Sequence, residues 1–148
     1  MIKLTVDLNA ELAKEALASL KAKMGNMTPV MRTVGQVIRA SVQKNFETGG
    51  RPTGWVKLSP VTTAGKKRGK GGHKILVDTA RLKNSPKVKA SANEVTVGTN
   101  LVYAAIQHFG GMAGRGQKVK IPARPYMLIQ PEDWDEINRE ASEWLLKR

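Results

Sequence analysis

Val95-Thr96-Val97-Gly98-Thr99-Asn100, Tyr103-Ala104, His108-Phe109-Gly110-Gly111 and Ile121-Pro122-Ala123-Arg124-Pro125-Tyr126 follow one another within about thirty residues. They pack a strand, a short helix, a glycine-rich loop and a proline-framed arginine into that length. Val95 and Val97 alternate with polar neighbours, the period of a half-buried strand, and Gly98 with Asn100 supplies turn residues. From Leu101 to Phe109 the apolar residues Val102, Ala105, Ile106 and Phe109 recur at helical spacing, and Gly110 is placed to end that helix in the left-handed conformation. Gly110-Gly111-Met112-Ala113-Gly114-Arg115-Gly116 then reads as a loop too poor in apolar residues to pack a core, an arm or a lid. Arg124 lies between Pro122 and Pro125, which hold its backbone extended.

These segments resemble, in order and spacing, the tail-completion or virion morphogenesis proteins of Mu-like tailed phages. The resemblance extends upstream to Gly50-Arg51-Pro52 with Trp55, to Leu58-Ser59-Pro60, and to Ile75-Leu76-Val77-Asp78-Thr79 with Arg81-Leu82. It covers roughly residues 30 to 140. One departure is Ala80, where the family pattern leads us to expect glycine after the threonine. The resemblance implies a structural protein of the virion neck or tail end, assembled in the host cytoplasm and needed to join tail to head. It also implies self-assembly into a ring, with a hexamer as the family-based expectation, and contact with head-closure or tail-terminator proteins.

Composition sets independent bounds. A chain of 148 residues with 41% hydrophobic content is sized for one domain, 1–148, with an ordinary core. No apolar run approaches the roughly eighteen residues of a membrane span, and no signal-peptide core precedes a small-residue cleavage site, so a soluble intracellular protein is expected. Without cysteine, and with two isolated histidines, the chain offers neither a disulfide framework nor a metal cage, and no cofactor is expected.

The net charge of +13 is unevenly placed. Residues 131–148 hold six acids against Arg139, Lys147 and Arg148, net −3, which leaves +16 for the rest. Residues 51–124 hold fifteen Lys and Arg against Asp78 and Glu94, so this segment alone equals the whole excess. Such a field attracts nucleic acid or an acidic protein surface.

Taken in order, Ile2, Leu4 and Val6 alternate as a short strand, and Asn9 caps a helix to Met24 with Leu12, Ala13, Ala16, Leu17, Leu20 and Met24 on one face. Thr28-Pro29 restarts the chain as N-cap and first-turn proline. Val30, Met31, Val34, Val37, Ile38, Ser41, Val42 and Phe46 then form the longest apolar stripe, closing at Gly49-Gly50. Gly35 inside it costs up to about 1 kcal/mol relative to alanine unless a neighbouring backbone packs closely there.

Trp55 anchors the following turn on this helix. Val61 to Lys74, with Lys66, Lys67, Arg68 and Lys70 among glycines, is expected to be mobile, as is Gly110 to Gln117. No Gly-Lys-Ser or Gly-Lys-Thr follows a strand, so the glycine-rich run is not a phosphate loop. Asp78 or Thr79 caps a turn through Leu82. Val88 and Ala90 pair with Val95 and Val97 as a hairpin whose outer face sets Lys87 and Lys89 beside Glu94, and Lys118 to Ile121 adds a third strand. Pro131 opens a last helix, acidic at its start and basic at Lys147 and Arg148, as the helix dipole favours. Its apolar face is Trp134, Ile137, Ala141, Trp144 and Leu145.

A search for catalytic groups yields none in convergent positions. His108 has no nucleophile motif beside it, and a histidine at a helix end more often serves structure by bonding free carbonyls. Asp78 is the one acid between Glu47 and Glu94, which leaves no local carboxylate pair. The expectation is therefore a non-enzymatic α+β domain without a small-molecule substrate. Two N-terminal helices and a C-terminal helix cover a small antiparallel sheet, and long basic Gly-rich loops project from it.

The candidate assembly contacts are Arg51, Trp55, Lys66, Lys67, Arg68, Lys70, Tyr103, His108, Arg115 and Arg124. Arg124 can make bidentate bonds inside the domain near Asp78 or across a subunit boundary, and the boundary is the favoured expectation. The alternative function is a basic module gripping nucleic-acid phosphate without reading sequence, because nothing resembles a groove-reading helix.

Overall fold

The computed structural model describes residues 10–66 and 74–147. The strand expected at Ile2 to Val6, the cap expected at Asn9, and Lys67, Arg68 and Lys70 lie outside the described residues. The fold is α+β. Its helices are α1 (Ala10–Met24), α2 (Thr28–Thr48), α3 (Pro60–Lys66), α4 (Arg81–Asn84), α5 (Ala104–Phe109) and α6 (Pro131–Leu146). Its strands are β1 (Lys87–Ala90), β2 (Val95–Gly98), β3 (Gly111–Ala113) and β4 (Val119–Ile121), with a 3-10 turn at Arg115–Gln117.

The spine is α2. Asn26 Oδ1 accepts the Thr28 N–H at 3.1 Å, so the residue ahead of the expected cap does the satisfying, and Met27 occupies the cap position itself. Gly49 ends the helix in the left-handed conformation, φ 76°. Val30, Val42 and Phe46 are buried along the expected stripe.

The β1–β2 hairpin packs on α2 with Val88 opposite Val97 and Ala90 opposite Val95. Gly35 marks the crossing: a Cβ there would fall 2.2 Å from Val88 Cγ1 and 2.8 Å from Val95 Cγ2. The close approach expected at Gly35 is thus real, but valine side chains make it instead of backbone. On the hairpin's outer face the expected Lys–Glu pairing gives way to a local bond. Glu94 Oε1 accepts the Thr96 hydroxyl at 3.1 Å, and the register sets Lys89 opposite Thr96.

Lys118 to Ile121 does not extend this hairpin. Val119–Ile121 pairs with Gly111–Ala113 as a second two-stranded antiparallel sheet, Gly111 opposite Ile121 and Ala113 opposite Val119. The glycine loop expected to lack structure is therefore a β-ribbon, with Arg115 exposed in its connecting turn. Gly110 makes the ribbon possible. Its φ of 74° with ψ of −177° is open to glycine and not left-handed helical, and a Cβ would meet Ala123 N at 2.7 Å.

The basic loop is also corrected at its start. Ser59 caps α3, its Oγ accepting the Thr62 N–H at 3.3 Å, and Pro60 fills the first helical position, so Val61 to Lys66 is helical. The short turn through Leu82 is α4, beginning at Arg81 after Ala80 at φ 60°. Neither Asp78 nor Thr79 caps it. A left-handed residue costs roughly 1–2 kcal/mol more for alanine than for glycine, so the position suits the glycine that was expected there.

The hydrophobic core joins Val42, Phe46, Trp55, Val77, Leu82, Ala104 and Tyr126. Phe46 meets Trp55 edge-on with centroids 5.7 Å apart, and Tyr126 at 5.0 Å. On α5 the apolar stripe points the wrong way for a core: Ala104 is buried, whereas Val102 and Phe109 are 98% and 77% exposed. The inward positions are Ala104 and, one turn on, His108, which meets Tyr126 edge-on at 5.2 Å. The Tyr126 hydroxyl donates to the Ala104 carbonyl at 3.2 Å.

Replacing Gly35 by alanine should destabilise the protein by about 1–3 kcal/mol in thermal or urea unfolding, because the added methyl overpacks the hairpin by more than helix propensity returns. Unchanged or increased stability would show that the hairpin is not seated on α2.

Candidate assembly site

The candidate residues divide into those consumed by the scaffold and those left facing out. Arg51 belongs to the first group. Its Nε donates to Asn45 Oδ1 at 2.8 Å, and its Nη2 to the Ser41 carbonyl at 3.0 Å and the Ser41 hydroxyl at 2.8 Å. It also pairs with Glu132 at 3.0 Å and with buried Asp133 at 3.4 Å, its own side chain 11% exposed. Asp133 in turn accepts from Ser41 Oγ and from the Gln130 N–H, the latter at 2.8 Å, which caps the start of α6. Asn45, fully buried, completes the clamp by donating to the Tyr126 and Leu128 carbonyls at 2.8 and 3.0 Å.

The sequence reading passes over Asn45 and Gln130, counts Ser41 only as part of a stripe, and takes Asp133 for a dipole-complementing acid. The signal was legible in part. A Gln-Pro-Glu-Asp start places an acid at the third helical position, where it can reach back to the cap N–H. Asn45 carries no comparable mark, because a polar residue inside an apolar helix face declares itself only through its partners.

Trp55 is likewise consumed: it is 8% exposed, and its Nε1–H donates to the Pro125 carbonyl at 3.0 Å. His108 serves structure, but in the opposite sense to carbonyl capping. Its Nδ1 accepts the backbone N–H groups of Tyr126 and Met127 at 3.3 and 3.4 Å. An accepting nitrogen must be unprotonated, and burial pushes the imidazole below its usual range.

Arg124 is buried, 7% exposed, which places it inside the domain. Its backbone N–H donates to the Gln107 carbonyl at 3.1 Å, and its Nε to the Val56 carbonyl at 3.2 Å. No ion pair joins it to Asp78 among the described residues, although both line one cleft of about 650 Å³. Tyr103, 40% exposed, lines the same cleft. Lys66 closes α3, and Arg115 stands at the ribbon turn.

The outward surface is more apolar than the basic composition suggests. Beside Val102 and Phe109 on and before α5, Met112 of β3 and Val119 of β4 are 49% and 56% exposed. On α1 the apolar stripe is open at Leu17 and Met24, 66% and 62% exposed. α1 meets the last turn of α6, where Lys23 Nζ donates to the Trp144, Leu145 and Lys147 carbonyls. A cation from another helix thus answers the α6 dipole as well. Trp134, expected on the inner face of α6, is 52% exposed, and Ile137 is the buried anchor. Among the described residues no helix is long and apolar enough to cross a membrane.

The phage virion morphogenesis family matches residues 8–146. The Mu-like prophage FluMu G protein 2 of Haemophilus influenzae is 39% identical over 144 residues, which span 97% of this chain and 96% of that relative. No solved structure matches.

The lowered His108 pKa fixes the sign of an acid effect. The unfolded histidine, near 6.5, binds a proton that the folded one resists, so stability is complete above that pH and falls as pH drops through 6.5 toward the folded value. His108→Asn, which keeps an acceptor without a titrating ring, should lose that part of the decline between about pH 7.5 and 5.5. Unfolding midpoints that decline equally in parent and variant would contradict the role of Nδ1.

Proposed function

Because the chain belongs to the phage virion morphogenesis family, we propose that it is a non-catalytic structural subunit of the virion neck that completes the tail and prepares it to join the head. The observation that carries this reading is the division of the molecule into a polar-locked scaffold and an apolar exterior. Buried clamps consume Arg51 and Trp55, while Val102, Phe109, Met112, Leu17 and Met24 stand in water. Large exposed apolar groups on neighbouring elements mark protein–protein surfaces. Copies of the chain associate through them into a ring, and the ring meets the adjoining head-closure or tail-terminator proteins during assembly in the host cell.

The β3–β4 ribbon suits such a role. It is short, three residues a side, and mostly exposed, so docking against a neighbour would supply the burial it lacks alone. The basic charge of residues 51–124 attracts acidic partners. The competing reading, nonspecific binding of DNA phosphates, draws on the same charges but leaves the apolar surface unexplained.

Phe109→Asp should leave the unfolding midpoint within a few degrees of the parent, because a surface substitution changes stability by roughly 0.5 kcal/mol or less. It should nevertheless abolish self-association in light scattering and block completion of tails in a phage lacking its own copy. Association of the parent should persist as salt rises, whereas phosphate binding would weaken steeply. An assembly that dissolves with salt, or a Phe109→Asp variant that associates normally, would refute the apolar interface.

A further inference from the structure

The cleft around Arg124 has the composition of a receptor and not of a packing defect. Its walls come from α3, the Leu76 to Leu82 segment, α5 and β4. Leu76, Leu82 and Ile121 supply apolar surface, and Lys57, Arg81 and Lys120 stand exposed around it. With Arg124 these make four cations against Asp78 alone, a net of +3 for the cleft. No Arg–Asp pair neutralises the site from within among the described residues.

Arg124 is the decisive group. Nine-tenths of it is buried, and its hydrogen bonds are the backbone contact to Gln107 and the Nε contact to Val56. Neither terminal nitrogen makes a bond to any described residue. Pro122 and Pro125 fix the backbone on either side, so the guanidinium is held in position before any ligand arrives. Burial pushes its pKa down, because desolvation penalises the charged form. The terminal nitrogens keep unused donor capacity at the cleft that Arg124 lines.

We propose that this cleft receives a carboxylate-bearing, partly apolar peptide segment of a partner protein, with Arg124 binding the carboxylate bidentately and Leu76, Leu82 and Ile121 holding the flanking side chain. Geometry favours a protein carboxylate over a nucleic-acid phosphate. The guanidinium sits at depth beside apolar walls, where a single acidic side chain on an extended segment reaches and a duplex backbone does not. Two residues of the wall, Leu76 and Ala80, hold positive φ of 58° and 60°. Strained backbone of this kind is found at ligand-holding sites. The proposal names partner chemistry for the assembly protein described above, but its test needs no assembled ring and no phage.

The probe is a fluorescein-labelled peptide of alternating leucine and glutamate, with its leucine–glutamine twin as the uncharged control, followed by anisotropy at physiological salt. Three variants accompany the parent. Arg124→Gln removes the receptor charge, Thr62→Trp fills the cleft from an exposed wall position without changing charge, and Arg32→Gln removes an equal charge from an exposed site on α2 outside the cleft lining.

The expected result is saturable binding of the glutamate peptide, weakened about tenfold or more by Arg124→Gln and by Thr62→Trp, and less than about twofold by Arg32→Gln. If Arg124→Gln fails to fold, Thr62→Trp decides. The proposal is overturned by equal losses from Arg124→Gln and Arg32→Gln, which would mean general charge attraction. It is overturned equally by a glutamine peptide that binds as well, by insensitivity to Thr62→Trp, or by a thymidine oligonucleotide that alone occupies the cleft.

Discussion

The fold depends on one buried side chain amide. Asn45 sits fully buried in α2, accepts from Arg51, and donates to the carbonyls of Tyr126 and Leu128. The long helix and the turn after it are thereby joined to a segment some eighty residues away, the extended approach to α6. Asp133 extends the same network by gathering Ser41, Arg51 and the first turn of α6. Each partner satisfies another's buried polarity, so removal of any one exposes the rest to an unpaired state worth about 1–3 kcal/mol per group, more where charge is involved. This mutual dependence fixes the angle between α2 and α6 more tightly than apolar contact would, since hydrophobic attraction has no direction.

That clamp explains which candidate residues remain available for partners. Arg51 and Trp55 appear in the sequence as a basic residue and a large aromatic beside glycines, the appearance of a contact loop. Their donors are taken by Asn45, Ser41, Asp133 and Pro125. What is left outside is α1, the outer face of α5 and the β3–β4 ribbon, together with the cleft that opens onto Arg124. A fixed scaffold carrying exposed apolar edges and one pre-positioned cation is the arrangement expected of a subunit whose contacts are completed by others.

The sequence made the helices legible where period and punctuation agreed. The stripe from Val30 to Phe46 with Gly49 behind it, the proline opening α6 at Pro131, and the Val88–Val97 hairpin all stand as their spacing indicates. It misled where the apolar period had no core to face. Val102, Ala105 and Phe109 form a regular stripe, yet α5 turns Ala104 and His108 inward, where Tyr126 meets the imidazole edge-on and bonds the Ala104 carbonyl. Glycine content misled at the ribbon, where Gly110 and Gly111 permit the backbone to turn into a strand instead of preventing one. Ser59-Pro60 was a helix start hidden within a motif. Among candidate contacts, Arg115 faces outward while Tyr103 and Arg124 line one cleft, but charge alone could not tell Arg124 from Arg51. The difference lies in which partners the fold brings within reach.

A double-mutant cycle on Asn45→Ala and Arg51→Ala, read by urea unfolding, measures whether the clamp is cooperative. If the clamp acts as one unit, each single change should cost on the order of 2–4 kcal/mol and the pair much less than the sum, with a coupling of about 1–3 kcal/mol. Additive losses, or single changes within about 0.5 kcal/mol of the parent, would contradict it and leave α2 and α6 held by apolar packing alone.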